Sequence, residues 1–546
     1  MGKTLFLREF IREGEPFAYS LHRAMAAARR EGASRLAADG GTYTLDAVFC
    51  DERYLAYSNH NFNGPKRIGA LIEDMTDFEL DFGGATLISE GVLTPIAVLR
   101  SRGIRVRNVT LRNPHTDFLQ VRVVAHGEGY IDTLPMHGLD CFELRDGRLY
   151  SKHRGLLGFM YTNIEFNGES GAIEDGTADH TLGADPATEL TYEMTGAGLL
   201  RIRGGKRQPP LGNILVFNAA RRFGAGVFCE ESENLFFENV TIHSCFGMGL
   251  LAQLCRNISL DGFSTRRHGD QYYTANADAT HFVNCEGLIR VENCHFEGQL
   301  DDALNIHGMY TRILRAEGQE LLVREMHEES RLIRIFHPGD RIAALHTDTL
   351  LPYAERTVRE VEYVNADIVR LVLDEPVGKI AAGDDLEVVS CVADLIFAHN
   401  TVENNRARGM LIAARGRVLI EDCYFHVGGA SVLFESDGRY WFESGGTQDV
   451  TVRRCRFDRC KHAGWGAAII ACQPRERTEE GRYYHQSITV ENNEFTDSCG
   501  MLAHLDNVAA VRFTGNRIRG GLPPAVHLSH VGSAVLQEGV AVTEVP

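Results

Sequence analysis

The sequence predicts an all-β fold, a parallel β-helix interrupted by inserted β-rich domains. Three observations carry this reading. Short strands alternate with Gly, Asn or Asp turns along most of the chain, one residue column recurs at coil-length intervals, and the recurrence stops in two stretches with a different strand pattern. At 546 residues the chain is long enough for one repeat architecture with insertions. Its 55 glycines and only 2 tryptophans fit many turns and few long helices.

Residues 1–45 read as a helix and cap. "AYSLHRAMAAARREGA" is amphipathic, and "LAADGGTYTL" turns through glycine into a strand, a combination able to close one end of a strand stack. Residues 46–118 read as the first coils. Residues 119–209 read as a β-rich insert, on "RGLLGFMYTNIEFNG" and "ELTYEMTGAGLLRIRGG". Coils resume over 210–310 and stop again over 311–390. There "ELLVREM", "RLIRIF", "DIVRLVL" and "DLEVVS" are separated by the turn signals "PGD" and "AGDD", which predicts a small inserted β-barrel. Residues 391–546 read as the C-terminal coils.

The recurring column is Asn or Cys, any residue, then Phe, Val or Ile. It appears at Cys294-His295-Phe296, Asn400-Thr401-Val402, Cys423-Tyr424-Phe425, Cys455-Arg456-Phe457, Asn493-Glu494-Phe495 and Asn516-Arg517-Ile518. A period of ~20–30 residues built from short strands marks a parallel β-helix, whose coils stack at strand spacing so that equivalent positions form ladders. The column also accounts for Cys455 as a small ladder residue. A zinc site from Cys455, Cys460 and His462 would need a further Cys or His pair at ligand spacing, and none accompanies them.

A second column holds a small residue before an apolar strand: "GMGLLA" (247–252), "ADATHF" (277–282), "DDALNI" (301–306), "ARGMLI" (407–412) and "GASVLF" (429–434). The residues preceding the small one are Met248, Asp278, Asp302, Arg408 and Ala430. One coil separates Asp278 from Asp302, and Arg408 follows once the insert is set aside. In "DDALNIH", Leu304 and Ile306 share one strand parity and face the coil interior, while Asp301, Asn305 and His307 share the other. Asp302 would point inward with Leu304, so the alternation places a bend at Asp301–Asp302.

Three carboxylates in reach of each other raise one another's pKa and keep one protonated. Glycoside hydrolysis needs that pairing, a carboxylic acid for the leaving oxygen and a carboxylate for water or the sugar. Asp278, Asp301 and Asp302 are therefore the catalytic candidates, weighed against turn capping, where Asp is common. Arg408 is placed to keep the others ionised or to hold a sugar hydroxyl. Asn305 is a substrate-binding candidate on its parity. His307 reads equally as a structural histidine or a sugar contact. Trp441, in "RYWFESGG", reads either as a sugar-stacking ring or as a ring packed under an insert, and Glu443 as a hydroxyl acceptor.

The formal charge of −18 argues against nucleic acid and anionic membranes as partners. No run of about 20 apolar residues exists to span a membrane. The first 20 residues lack the apolar core of a signal peptide, and 13 cysteines without a compact framework fit reduced thiols, so a cytoplasmic location is expected, with export by another route left open.

"ADATHFVNCEG", "CHFEGQLDDALNIHG" and "GRYWFESGG" resemble the motifs of glycoside hydrolase family 110, the α-1,3-galactosidases. "NGPKRIGALI" and "GLLGFMYTNIEFNG" follow the same order along the chain. The resemblance implies a right-handed parallel β-helix with inserted β-barrel domains. It also implies removal of terminal α-1,3-linked galactose with inversion, no metal and no cofactor, and active-site roles for Asp278, Asp301 and Asp302. The partner it implies is an α-galactoside oligosaccharide or glycan; a homo-oligomer is compatible with the sequence. Two other classes compete. A β-helix polysaccharide lyase would use a Lys or Arg base and usually Ca²⁺, and a non-catalytic β-helix would only bind glycan.

Overall fold

A computed structural model describes residues 2–60, 63–137, 142–153, 156–186, 188–219, 221–473 and 476–545. Residues 154 and 155 of the first-insert segment quoted above, and Cys141, lie outside the described residues. The helix Phe17–Glu31 buries Ala18, Leu21, Ala24, Met25 and Ala28 against the first coils. It stops at Gly32, whose left-handed φ of 59° lets its N–H reach the carbonyls of Ala28 and Arg29. The strands Thr4–Phe6, Arg35–Ala37 and Thr42–Asp46 already pair in parallel with neighbours, so the cap is continuous with the coil stack.

The coils form a right-handed parallel β-helix with three ladders. One ladder runs through Thr94–Leu99, Val227–Glu230, Leu250–Gln253, Thr280–Val283, the start of Leu304–Glu317, Met410–Ile412, Val432–Phe434 and Ile470–Cys472. A second runs through Glu233–Ile242, Arg256–Asp261, Glu286–Glu292, Ala393–Ala398, Arg417–Glu421 and Asp449–Arg453. The third carries the Asn/Cys column: His295–Glu297, Thr401–Glu403, Tyr424–His426, Arg456–Asp458 and Glu494–Ser498.

Alternation fixes which side faces in. In "RVLIE" (417–421) Val418 and Ile420 are buried and Arg417 is exposed. Along the third ladder the inward rings stack, with Phe425, Phe457 and Phe495 centroids about 5 Å apart (5.1 and 5.0 Å). The asparagines close the corners. Asn400 Oδ1 accepts the N–H of Cys294 (2.8 Å), Asn493 Oδ1 that of Cys455 (2.9 Å), and Asn516 Oδ1 that of Asn493 (3.0 Å). Each satisfies a buried backbone donor that the turn takes out of the ladder. The cysteines of this column are buried thiols against backbone carbonyls, and burial pushes Cys294 up to about 12. The 12 described cysteines are all free. Among the described residues no helix is long and apolar enough to cross a membrane.

The second insert is a closed barrel. Its six strands pair antiparallel in a ring: Leu304–Glu317, Glu320–Glu325, Ile368–Leu373, Pro352–Tyr363, Arg341–Leu345, Asp385–Val388 and back to the first. Closure leaves no free edge. The entry strand is uninterrupted: Leu304–Ile306 belong to the coil, Gly308–Met309 pair with Glu443–Ser444, and from Tyr310 the strand is barrel. The first insert is a six-stranded antiparallel sheet with a separate three-stranded sheet. Its strand Ile214–Asn218 pairs with both Thr162–Phe166 and Phe118–Gly127, so this insert extends past the expected limit at 209 and the coil resumes at Val227. "ILVFN" is buried throughout, and an apolar run of that kind reads the same in a coil strand as in a central sheet strand.

Candidate active site

The register brings the second column together at the corner where chains enter the first ladder. Thr280 pairs with Leu304 and Leu304 with Met410, so Asp278, Asp302 and Arg408, each two residues upstream, occupy equivalent positions on successive coils. The backbone ladder continues beneath them: Ala279 N–H donates to Asp302 O (2.8 Å) and Ala303 N–H to Gly409 O (2.9 Å). The chain bends at Asp301–Asp302 before the strand begins at Leu304. That bend frees Asp302 from strand parity and leaves Leu304 and Ile306 in the core.

Asp278, Asp301 and Asp302 each present an oxygen within 4.8 Å of the others. Asp302 is fully buried at 0% exposure and Asp278 nearly so at 4%, while Asp301 reaches the surface of a cleft. Asp302 Oδ1 accepts Arg408 Nε–H at 2.8 Å, and its Oδ2 has no partner. Asp301 forms ion pairs with Arg406 (3.2 Å), Arg408 (3.5 Å) and Arg222 (3.8 Å). Asp278 Oδ1 accepts the backbone N–H of Asp302 at 3.0 Å, and its Oδ2 lies 2.5 Å from His281 Nδ1.

Burial pushes Asp278 up to about 8, and the neighbouring Asp301 carboxylate adds to it. Burial likewise raises Asp302 far above the usual carboxylate range. The Arg408 guanidinium opposes this, and the other two aspartates reinforce it. His281 is held well below the ordinary imidazole range by burial and then by His307. Burial thus favours the neutral form of Asp278 and Asp302, while Asp301 stands among guanidinium groups, a contrast suited to acid–base work.

The cleft has a volume of about 1070 Å³. The β-helix supplies Asp301, Arg406 and Arg408, and the first insert supplies Tyr161, Asp179 and His180. Glu329 enters from the barrel insert. Arg406 ties the first insert to the helix, gripping Asp179 with Nε (2.7 Å) and an Nη (2.6 Å) while also facing Asp301. Both tryptophans of the chain line this cleft. The Arg222 guanidinium lies 5.9 Å from the Trp441 ring, and Arg406 lies 5.8 Å from Trp465.

Of the residues singled out in the sequence, Asp301, Arg408 and Trp441 form the cleft wall. Asp278 and Asp302 sit directly behind it. Asn305, His307 and Glu443, expected to contact substrate, are buried at 4%, 3% and 6% exposure and are not part of the wall. They lie deeper because Asn305 and His307 belong to a ladder strand covered by its neighbours, and Glu443 pairs with that strand. Sequence reasoning did not find Arg222, Arg406, Asp179, Trp465 or His281. His281 stood in plain view in "ADATHF", three residues after Asp278. Trp465, the second of two tryptophans, carried the same rarity signal as Trp441. Asp179 and Arg222 arrive from distant segments and left no local signal.

Fold and site together define a right-handed β-helix with an inserted barrel and a carboxylate cluster at the floor of a cleft. Family models agree with the architecture: residues 320–386 match the GLAA-B beta-barrel domain II, and residues 379–518 match a right handed beta helix region. The chain is 29% identical over 503 residues to an alpha-1,3-galactosidase B of Parabacteroides distasonis, covering 88% of this chain and 81% of that protein. It is 26% identical over 572 residues to an alpha-1,3-galactosidase A of Bacteroides fragilis, covering 100% of this chain and 93% of that one. The A-module of an Azotobacter vinelandii mannuronan C-5 epimerase superposes with a TM-score of 0.44 at 10% identity, covering 97% of this chain and 99% of its own.

Proposed function

We propose that this protein is an exo-acting glycoside hydrolase of the family 110 type, releasing terminal α-1,3-linked galactose with inversion. The observation that carries the reading is the cluster itself. Three carboxylates converge within 4.8 Å at one corner of the helix, with Asp278 and Asp302 raised by burial and Asp301 ion-paired at the cleft surface. A neutral carboxyl can protonate the glycosidic oxygen while a carboxylate directs water or supports the developing positive charge on the sugar. The names of the similar curated proteins support galactose as the sugar removed and the α-1,3 linkage. Walls contributed by both inserts favour a chain end over a polymer lying across the groove. Trp441 and Trp465 offer ring faces for the sugar.

The test is incubation with α-1,3-, α-1,4- and α-1,6-linked galactosides, followed by proton NMR of the freshly released galactose. Release from the α-1,3 substrate with the β-anomer appearing first is the expected result. No free galactose from any of them overturns the reading. One observation favours a double displacement with retention: oxygens within 4.8 Å are closer than the ~6.5–9.5 Å usual for inversion. The α-anomer appearing first would select it. Galactose release is expected to survive EDTA, and loss of activity on chelation would favour the Ca²⁺-dependent lyase class instead.

A further inference from the structure

Behind the carboxylate cluster runs a buried chain of hydrogen bonds. Asp278 Oδ2 lies 2.5 Å from His281 Nδ1, His281 Nε2 lies 2.9 Å from His307 Nε2, and His307 Nδ1 lies 2.7 Å from the carbonyl oxygen of Gly308. Both rings are almost fully enclosed and meet edge to face with centroids 4.9 Å apart. The last partner sets the direction of the whole chain. A carbonyl only accepts, so His307 Nδ1 carries a hydrogen. A neutral His307 then has a bare Nε2, which accepts from His281 Nε2–H. A neutral His281 then has a bare Nδ1, and the proton in the shortest bond belongs to Asp278 Oδ2. Each tautomer follows from the one before it.

Resting on the glycosidase reading, we propose that His281 and His307 are positioning residues that fix the proton inventory of the carboxylate cluster. They hold Asp278 as a neutral donor to His281 and leave the proton exchanged with substrate to the adjacent pair Asp301 and Asp302. The oxygens support this division. Asp278 Oδ2–H donates a hydrogen bond to His281 Nδ1, and Oδ1 accepts the backbone N–H of Asp302 at the bend. Asp302 Oδ2 is the uncommitted oxygen of the cluster. Asp301 faces three guanidinium groups. Glycoside cleavage would then draw on the Asp301–Asp302 pair, of which Asp301 reaches the cleft, and leave the Asp278 proton in place.

The charged and titratable groups around the two rings do not reverse this order. Arg222 and the neighbouring His60 oppose a charge on His281, as does His307. Asp301 and Glu443 favour one. Glu443 Oε1 stands 3.5 Å from His307 Nε2 and is already engaged by Asn59 Nδ2–H at 3.2 Å. Burial dominates at His281 and holds it neutral.

Neutron diffraction of deuterated protein near neutral pH reads the inventory directly. Deuterium is expected on Asp278 Oδ2, His281 Nε2 and His307 Nδ1. Deuterium on both nitrogens of His281 beside an ionised Asp278 overturns the proposal. This readout does not require activity, so it separates the proposal from the glycosidase reading, which fails on its own if the wild-type protein releases no galactose. Kinetics give the second arm. Asp278→Asn can keep both bonds, accepting from Asp302 N–H and donating to His281 Nδ1. It is expected to retain at least tenfold more kcat than Asp302→Asn, and equal losses or the reverse order refute the assignment. His307→Gln can still accept from His281 and donate to Gly308 O, whereas His307→Leu cannot. The Gln variant is expected to keep the wild-type shape of the pH–kcat profile, and the Leu variant to shift its limbs with KM within about threefold. Matching profiles for the two, with thermal stability lowered alike, would leave His307 a packing residue only and overturn the proposal.

Discussion

Asp278→Asn should make the protein more stable, and increasingly so as pH rises. The carboxyl is buried, and burial lifts it to about 8 in the folded protein, against ~3.9 in an unfolded chain. A raised carboxyl binds its proton more tightly when folded. Its contribution to stability is complete below the unfolded value and is lost as pH climbs through the folded one. Between those limits the folded state holds a proton that the unfolded state has released, at a cost of about 1.4 kcal/mol per pH unit. From pH 5 to pH 8 the wild type should therefore lose about 3–4 kcal/mol that the Asn variant, uncharged in both states, keeps. The Asn side chain can also reproduce the two bonds of the neutral acid, to Asp302 N–H and His281 Nδ1. The assay is guanidinium unfolding of both proteins at pH 5, 6, 7 and 8. The difference in midpoint should widen with pH as the wild-type carboxyl approaches its folded value of about 8. Parallel curves, or a variant that loses ground as pH rises, would show that Asp278 is ionised in the folded protein and would refute the reasoning.

Three further outcomes follow from the contacts. Arg406→Met removes the fork that joins Asp179 to Asp301; a loss of about 2–3 kcal/mol is expected for its charge-assisted bonds, read by thermal unfolding, with easier proteolysis of the first insert. Trp441→Ala strips a ring from the cleft wall and should raise KM about tenfold with unfolding unchanged; an unaltered KM would place sugar stacking elsewhere. Asn400→Ala removes the acceptor of the buried Cys294 N–H and one donor to the Val291 carbonyl, and should cost about 1–3 kcal/mol in guanidinium unfolding while leaving kcat and KM as they were.

Periodicity made the β-helix legible because stacking converts a sequence interval into a spatial neighbour. The small residue before each apolar strand sits at a corner where every coil closes on the next. Aligning "ADATHF", "DDALNI" and "ARGMLI" therefore aligned Asp278, Asp302 and Arg408 in space. Side-chain alternation supplied the bend, since Asp302 cannot share the interior with Leu304. The same logic fails where the chain leaves the repeat. "ILVFN" is a central strand of the first insert, yet its composition is that of a coil strand, so the expected boundary at 209 fell before it. Arg222, Asp179 and Trp465 reach the cleft along paths that no interval encodes.

The deeper gap concerns protons. Three neighbouring carboxylates say that one or more must be neutral, but not which, because spacing along a ladder treats them alike. The difference lies in what stands behind each one. Asp302 has an arginine on one oxygen and nothing on the other. Asp301 has arginines on both sides. Asp278 has an imidazole whose tautomer is set two bonds away by the Gly308 carbonyl. The entry strand of the barrel runs unbroken from coil to insert, and Gly308, whose carbonyl faces His307 Nδ1, pairs with Ser444 rather than with the next coil. The barrel insert thus bears on the chemistry through backbone geometry, by shaping the strand that orients His307. A deletion of the barrel that spared every cleft-wall residue of the β-helix would still be expected to disturb the protonation of the site.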